Sequence, residues 1–168
     1  KAFMFSHRYW YLFIVLLSLY TFMNTALCNV YYYFKIEIEW YFALLTIVAV
    51  TLLTWEGNRL IKPYFRKKFL TPKTKIRFLA FFFLAGNIVA LIAATVAVYL
   101  FGNLLHGYTW EQNLNPLKLN IIYASLINLF LHLLNAIYFF FREYRRHWKE
   151  VEELRQTSTQ AKIQLVKS

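Results

Sequence analysis

From Asn120 to Ser168 the chain contains neither proline nor glycine, and this unbroken run constrains the fold more than any other feature. Its first part, Asn120 to Phe141, is apolar and long enough to cross a hydrocarbon core of about 30 Å. From Arg142 onward it turns abruptly charged, in good helix formers with no breaker at the junction. Membrane helix and aqueous helix are expected to form one rod. At about 1.5 Å per residue it measures roughly 70 Å, and about half of it projects from the bilayer.

The projecting half carries a heptad pattern. Tyr144, Val151, Ser158 and Leu165 recur every seven residues, and His147, Leu154, Ala161 and Ser168 follow three residues after each. That spacing is an a/d seam and predicts a coiled coil between two copies of the chain. Half of the seam is polar or small, so a solvated amphipathic tail fits the same residues.

Composition places the remainder. With 60% hydrophobic and 16% charged residues and a mean hydropathy of +0.40, the chain is too apolar for a soluble domain and reads as an integral membrane protein. One cysteine, Cys28, excludes an intramolecular disulfide framework and a cysteine-based zinc site. Four spans are expected, at about 9–30, 40–55, 78–101 and 120–141. The first follows a basic flank, Lys1 to Arg8, but is too long for a signal peptide and lacks a small-x-small cleavage pattern, so it is expected to be retained. The third carries Ala85, Gly86, Ala90, Ala93, Ala94 and Ala97, small side chains that allow close helix approach. Between the second and third spans, residues 56–77 read as a basic loop with two prolines. The connection from Gly102 to Leu119 has room for a short interfacial helix.

Of the nineteen Lys and Arg, seventeen lie in the amino end, the 56–77 segment and the tail, against Lys35 and Lys118 alone in the other connections. The positive-inside rule then puts both termini in the cytoplasm. The net charge of +11 is accounted for by topology and by contact of the basic segment with anionic lipid, without nucleic acid. The fold class is therefore an all-α membrane protein: a four-transmembrane-helix bundle over residues 1–141, with the fourth helix extended over 142–168 into a cytoplasmic coiled-coil signalling helix.

Catalytic and metal motifs are missing from the sequence: no phosphate-binding glycine loop, no HExxH and no nucleophile elbow. Glu37 and Glu39 at the outer boundary read as interface anchors or part of a sensing surface. His7, His106, His132 and His147 are too widely spread along the spans and loops to converge on one metal ion. A better candidate is a polar stripe on the fourth span, where Ser125, Asn128, His132 and Asn135 follow helical steps of three, four and three. Asn24 on the first span and Asn87 on the third are expected to meet it. Such a stripe faces other helices or a wet cavity, either as interhelical glue or as a signal site centred on His132. On helical geometry it points away from the seam and into its own bundle.

Trp55-Glu-Gly-Asn-Arg-Leu-Ile61 at the end of the second span, and Tyr138-Phe-Phe-Phe-Arg-Glu-Tyr-Arg-Arg-His-Trp148 running into a helix that closes with Lys162-Ile-Gln-Leu-Val-Lys-Ser168, together resemble the membrane part of LytS-like sensor histidine kinases, especially those of Bacteroidetes. The resemblance implies a homodimeric sensor and signal-transmission module in the bacterial inner membrane. It also implies that an Asn-Pro-His-Phe-Leu-Phe-Asn phosphoacceptor motif, an ATP-binding domain and a response regulator partner lie beyond this chain. ATP and Mg belong to that kinase core. No histidine here is followed by Phe-Leu-Phe-Asn, so no catalytic residue and no cofactor is assigned to the chain. The alternative is a small four-span transporter or channel, or a membrane scaffold without catalytic activity.

Overall fold

The computed structural model describes residues 5, 7–68 and 75–168, the side chains of 66–68 excepted. Every element is helical among the described residues: α1 Trp10–Leu27, α2 Val30–Tyr33, α3 Trp40–Lys68, α4 Lys75–Tyr99, a π-helical turn Leu100–Leu105, and α5 Leu114–Lys167. Four of these helices, α1, α3, α4 with its π turn, and α5, are long and apolar enough to cross a membrane, which makes the chain a multi-pass membrane protein.

Helix ends follow local chemistry. Asn29 takes the left-handed conformation (φ 51°) just after α1 and turns the chain into the single turn of α2. Thr109 and Gln112 bond reciprocally, the Thr109 amide donating to Gln112 Oε1 (2.8 Å) and the Gln112 amide to Thr109 Oγ1 (3.3 Å). This capping box winds the chain into α5. Pro116 is tolerated there because the first turn has no intrahelical use for its missing N–H.

Two expected boundaries move. The fourth span begins at Leu114 rather than Asn120, so the connection ends in the first turns of α5 rather than in a separate interfacial helix. More consequentially, residues 56–68 are not a loop: α3 runs through Pro63 to Lys68. A proline costs a helix one hydrogen bond and some bending. Here that cost is offset by a face on which Thr51, Trp55, Asn58 and Lys62 are all buried, at steps of four, three and four. Residues 69–74 of the expected basic loop, Lys73 among them, and Lys1 lie outside the described residues, while Lys75 to Arg77 form the start of α4.

The bundle is built on α4, which packs along both α3 and α5. Its buried face is mostly small: Gly86, Ala90, Ala93, Ala94 and Ala97. Ala90, Ala94 and Ala97 meet Val50 of α3 and Ala124 of α5. Without a hydrophobic driving force between helices in lipid, such close backbone approach supplies the dispersion contacts that hold them. α1 packs mainly along α3 and reaches the shared core through Ile14, leaving a groove of about 680 Å³ against α5. At one end of the groove the hydroxyls of Thr25 and Tyr123 bond to each other.

The bundle has two ends. At the loop face lie the connections before α3 and before α5, joined by the Tyr108 hydroxyl donating to the Glu37 carbonyl (2.9 Å). At the tail face Phe5, the end of α3 and the start of α4 gather round α5. There α5 leaves the bundle without a break, and its 54 residues measure about 81 Å. The expected single rod is present. Its seam residues Tyr144, Val151, Leu154 and Leu165 are exposed on the chain.

Candidate functional site

The polar stripe of α5 enters its own bundle. Asn128, His132 and Asn135 are buried, while Ser125 is half-buried. Asn128 and His132 meet Asn58 of α3, fully buried one turn beyond Trp55, whereas Asn135 Oδ1 finds no hydrogen-bond partner among the described residues. Asn58 Nδ2 donates to the Thr54 carbonyl (2.9 Å) and to Asn128 Oδ1 (3.0 Å). With both amide hydrogens used, Asn58 Oδ1 is an acceptor, and it lies 2.8 Å from His132 Nε2. His132 therefore carries its proton on Nε2 and donates it across the interface. Asn128 has two alternative sets of partners on α4. Its amide donates to the Phe83 carbonyl (3.4 Å) while its oxygen accepts from Asn58; turned over, it donates to the Gly86 carbonyl (3.3 Å) and accepts from the Asn87 amide (3.2 Å), but gives up the Asn58 bond because its nitrogen then faces Asn58 Nδ2.

Glycine at 86 is what admits this cluster. A Cβ there would sit 2.6 Å from His132 Nε2 and 2.9 Å from Asn128 Oδ1, and nearer still to Asn58 Oδ1. Three helices thus converge on one hydrogen-bonded group, with α4 contributing backbone and empty space. Aromatic rings close it off: Phe82 edge-on to His132 at 4.6 Å, Phe83 at 5.6 Å and Phe5 at 5.8 Å. Phe5 is wholly buried. It also packs on Trp55 at 5.1 Å and lies under the ammonium of Lys62 at 5.7 Å. A residue from before α1 therefore seals the network at the tail face.

Below the network an ion pair ties the start of α4 to the emerging α5. Lys75 Nζ lies 2.5 Å from Glu143 Oε2, and Arg146 approaches the same oxygen at 3.1 Å. The hydrogen bond from Lys75, helped by the positive charges around it, holds the Glu143 carboxyl below its ordinary pKa.

Two expected members of the stripe stand elsewhere. Asn24 is exposed and lines the groove between α1 and α5, because α1 packs mainly on α3. Asn87 offers only its backbone amide to Asn128. The member that the sequence reading did not assign to the stripe is Asn58. It was legible as part of the buried-face spacing Thr51, Trp55, Asn58 and Lys62, which assigning 56–77 to a loop concealed. Glu37 and Glu39 are exposed at the loop face. No group of three or more His, Cys, Asp or Glu gathers as a metal site among the described residues.

No family model, curated protein or solved structure matches this chain.

Chemically, the network pairs no nucleophile with a base. It is a set of mutually dependent hydrogen bonds in a low-dielectric setting, where a change at one member is felt by the others.

Proposed function

We propose that the chain is the sensor and signal-transmission module of a two-component sensor histidine kinase. In this reading it is a homodimer in the bacterial inner membrane with both ends cytoplasmic, and it controls autophosphorylation of a kinase core C-terminal to Ser168. The observation that supports the reading is continuity. The helix that carries Asn128 and His132 into the buried network also carries Val151, Leu154 and Leu165, with no proline, glycine or kink-forming residue between them. A rearrangement around His132 therefore has no flexible joint in which to dissipate, and it reaches the tail as a rotation or shift of the whole rod. A bistable element of this kind is what a switch requires. The seam then delivers the motion as a change of coiled-coil register.

Basic residues at the tail face fit the same orientation. Arg59 on α3, Lys75 and Arg77 on α4, and Arg142 and Arg145 on α5 lie toward this end of the bundle, a distribution that suits contact with anionic headgroups on a cytoplasmic face.

Two measurements test the proposal. The reading frame past Ser168 is expected to encode the phosphoacceptor motif and an ATP-binding domain; a different continuation ends the kinase reading. In the full-length protein, His132→Leu is expected to change basal autophosphorylation while insertion and dimerisation persist. Unchanged activity in a His132→Leu, Asn135→Leu double variant reduces the network to packing.

A further inference from the structure

At the loop face, away from the His132 network, α3, α4 and α5 enclose a second polar site. The π-helical turn Leu100–Leu105 ends α4, its widened register closing with the His106 amide on the Phe101 carbonyl (3.3 Å). Such π segments are rare and are found disproportionately at functional positions. Here the turn bends the chain so that Gly102 abuts Asn113, with no room for a Cβ, and His106 turns inward. The result is a cavity of about 30 Å³ whose lining includes Tyr31, Thr46, His106, Tyr108, Asn113 and Asn120.

Three of the lining residues each hold a buried polar atom with no hydrogen-bond partner among the described residues: Asn113 Oδ1, Asn120 Oδ1 and His106 Nε2. Asn113 is fully buried and Asn120 is 6% exposed. Their amide nitrogens are already committed, Asn120 Nδ2 to the Pro116 carbonyl (2.9 Å) and Asn113 Nδ2 to Asn103 Oδ1. Both carboxamides therefore present oxygen, and buried oxygens left unpaired at this depth call for a donor. The walls beside them are aromatic: His106 lies 4.0 Å from Phe42 and stacks on Tyr108 at 4.9 Å. The Tyr108 hydroxyl is anchored on the Glu37 backbone carbonyl, and Ile36 and Ile38 on either side of it line the cavity. Among the described residues no Lys or Arg lines the cavity.

We propose that this cavity is a binding site for a small hydrogen-bond-donating cation, ammonium or the aminium end of a primary amine. Oxygen acceptors repel an anion. Aromatic faces attract a cation. The volume admits a small molecule, since about 10 to 15 Å³ of such space is enough for one water. The site stands apart from the kinase reading, because occupancy is read on the chain itself rather than through signalling.

The test is thermal unfolding of the purified chain in lipid nanodiscs at constant ionic strength, with ammonium or methylammonium chloride replacing sodium chloride. A saturable rise in the midpoint of roughly 2 to 4 °C is expected. Tetramethylammonium, too large and without N–H donors, is expected to give none. Asn120→Leu, close in volume but without the acceptor, is expected to fold and to lose the response. Equal midpoints in ammonium and sodium overturn the proposal and leave a cavity that holds water only. So does an equal rise with tetramethylammonium, a comparison made on the unaltered chain and independent of whether the variant folds.

Discussion

Consider adding one methyl group at residue 86. In an ordinary membrane helix, glycine to alanine returns about 1 kcal/mol of helix preference. Here the new Cβ would press on His132 Nε2 at 2.6 Å and on Asn128 Oδ1 at 2.9 Å, with Asn58 Oδ1 closer still. To admit it, α4 must back away from α5 or the three side chains must swing apart. Either movement breaks the His132 to Asn58 and Asn58 to Asn128 bonds. Hydrogen bonds between membrane helices average about 0.6 kcal/mol each, and overpacking a close contact costs about 1 to 3 kcal/mol. After the helix-preference gain is set against these losses, Gly86→Ala is expected to destabilise by roughly 1 to 3 kcal/mol. Denaturant unfolding in mixed micelles measures this directly. Asn58→Ala removes the nearest obstacle, so the Gly86→Ala, Asn58→Ala pair should cost at least about 0.5 kcal/mol less than the two single costs together. A Gly86→Ala protein as stable as the parent, or strictly additive costs, refutes the claim that residue 86 is glycine because the network needs the space.

Phe5→Ala is expected to destabilise by about 3 kcal/mol through the cavity it leaves, and to open Trp55 to an aqueous quencher, read as quenching of tryptophan fluorescence relative to the parent. The Glu143 carboxyl is held below its ordinary pKa by Lys75, so the α4 to α5 tie is fully present above that ordinary value and is lost as the pH falls through the lowered one. Glu143→Gln is expected to remove this acid-side loss, and a stability profile between about pH 6 and 3 unchanged by the substitution contradicts it. With Cys28 replaced by serine, single cysteines at Val151, Leu154 or Leu165 are expected to cross-link between copies faster than cysteines at Glu152 or Lys162. Equal rates at all five positions mean a loose tail rather than a coiled coil.

The rod of α5 was legible because its evidence is local: an apolar run long enough for a bilayer, helix formers after it, and no breaker from Asn120 to Ser168. The inward turn of Asn128, His132 and Asn135 was legible for the same reason, since a 100° step fixes which residues share a face. What they would face was not. Asn58 is four residues from Pro63 inside a basic stretch, and local rules read that composition as a loop; tertiary burial of Trp55, Asn58 and Lys62 kept the helix going. Asn24 went the other way. Its depth in α1 suits the stripe, but which helices touch depends on packing partners, and α1 chose α3. The role of Gly86 was visible only as one small residue among several, because its effect depends on three side chains from two other helices.

α1 has a mechanical consequence of its own. Its 18 residues span about 27 Å, slightly less than a typical hydrocarbon core of about 30 Å, and it leans on α3 while the groove separates it from α5. α4 packs closely on both α3 and α5, so a change in bilayer thickness is expected to be absorbed first by the tilt of this outrigger. Its leading end is tethered by Phe5, wedged between Trp55 and the His132 ring. Tilting α1 then pulls on the wedge, which couples lipid thickness to the hydrogen-bonded joint of the long rod.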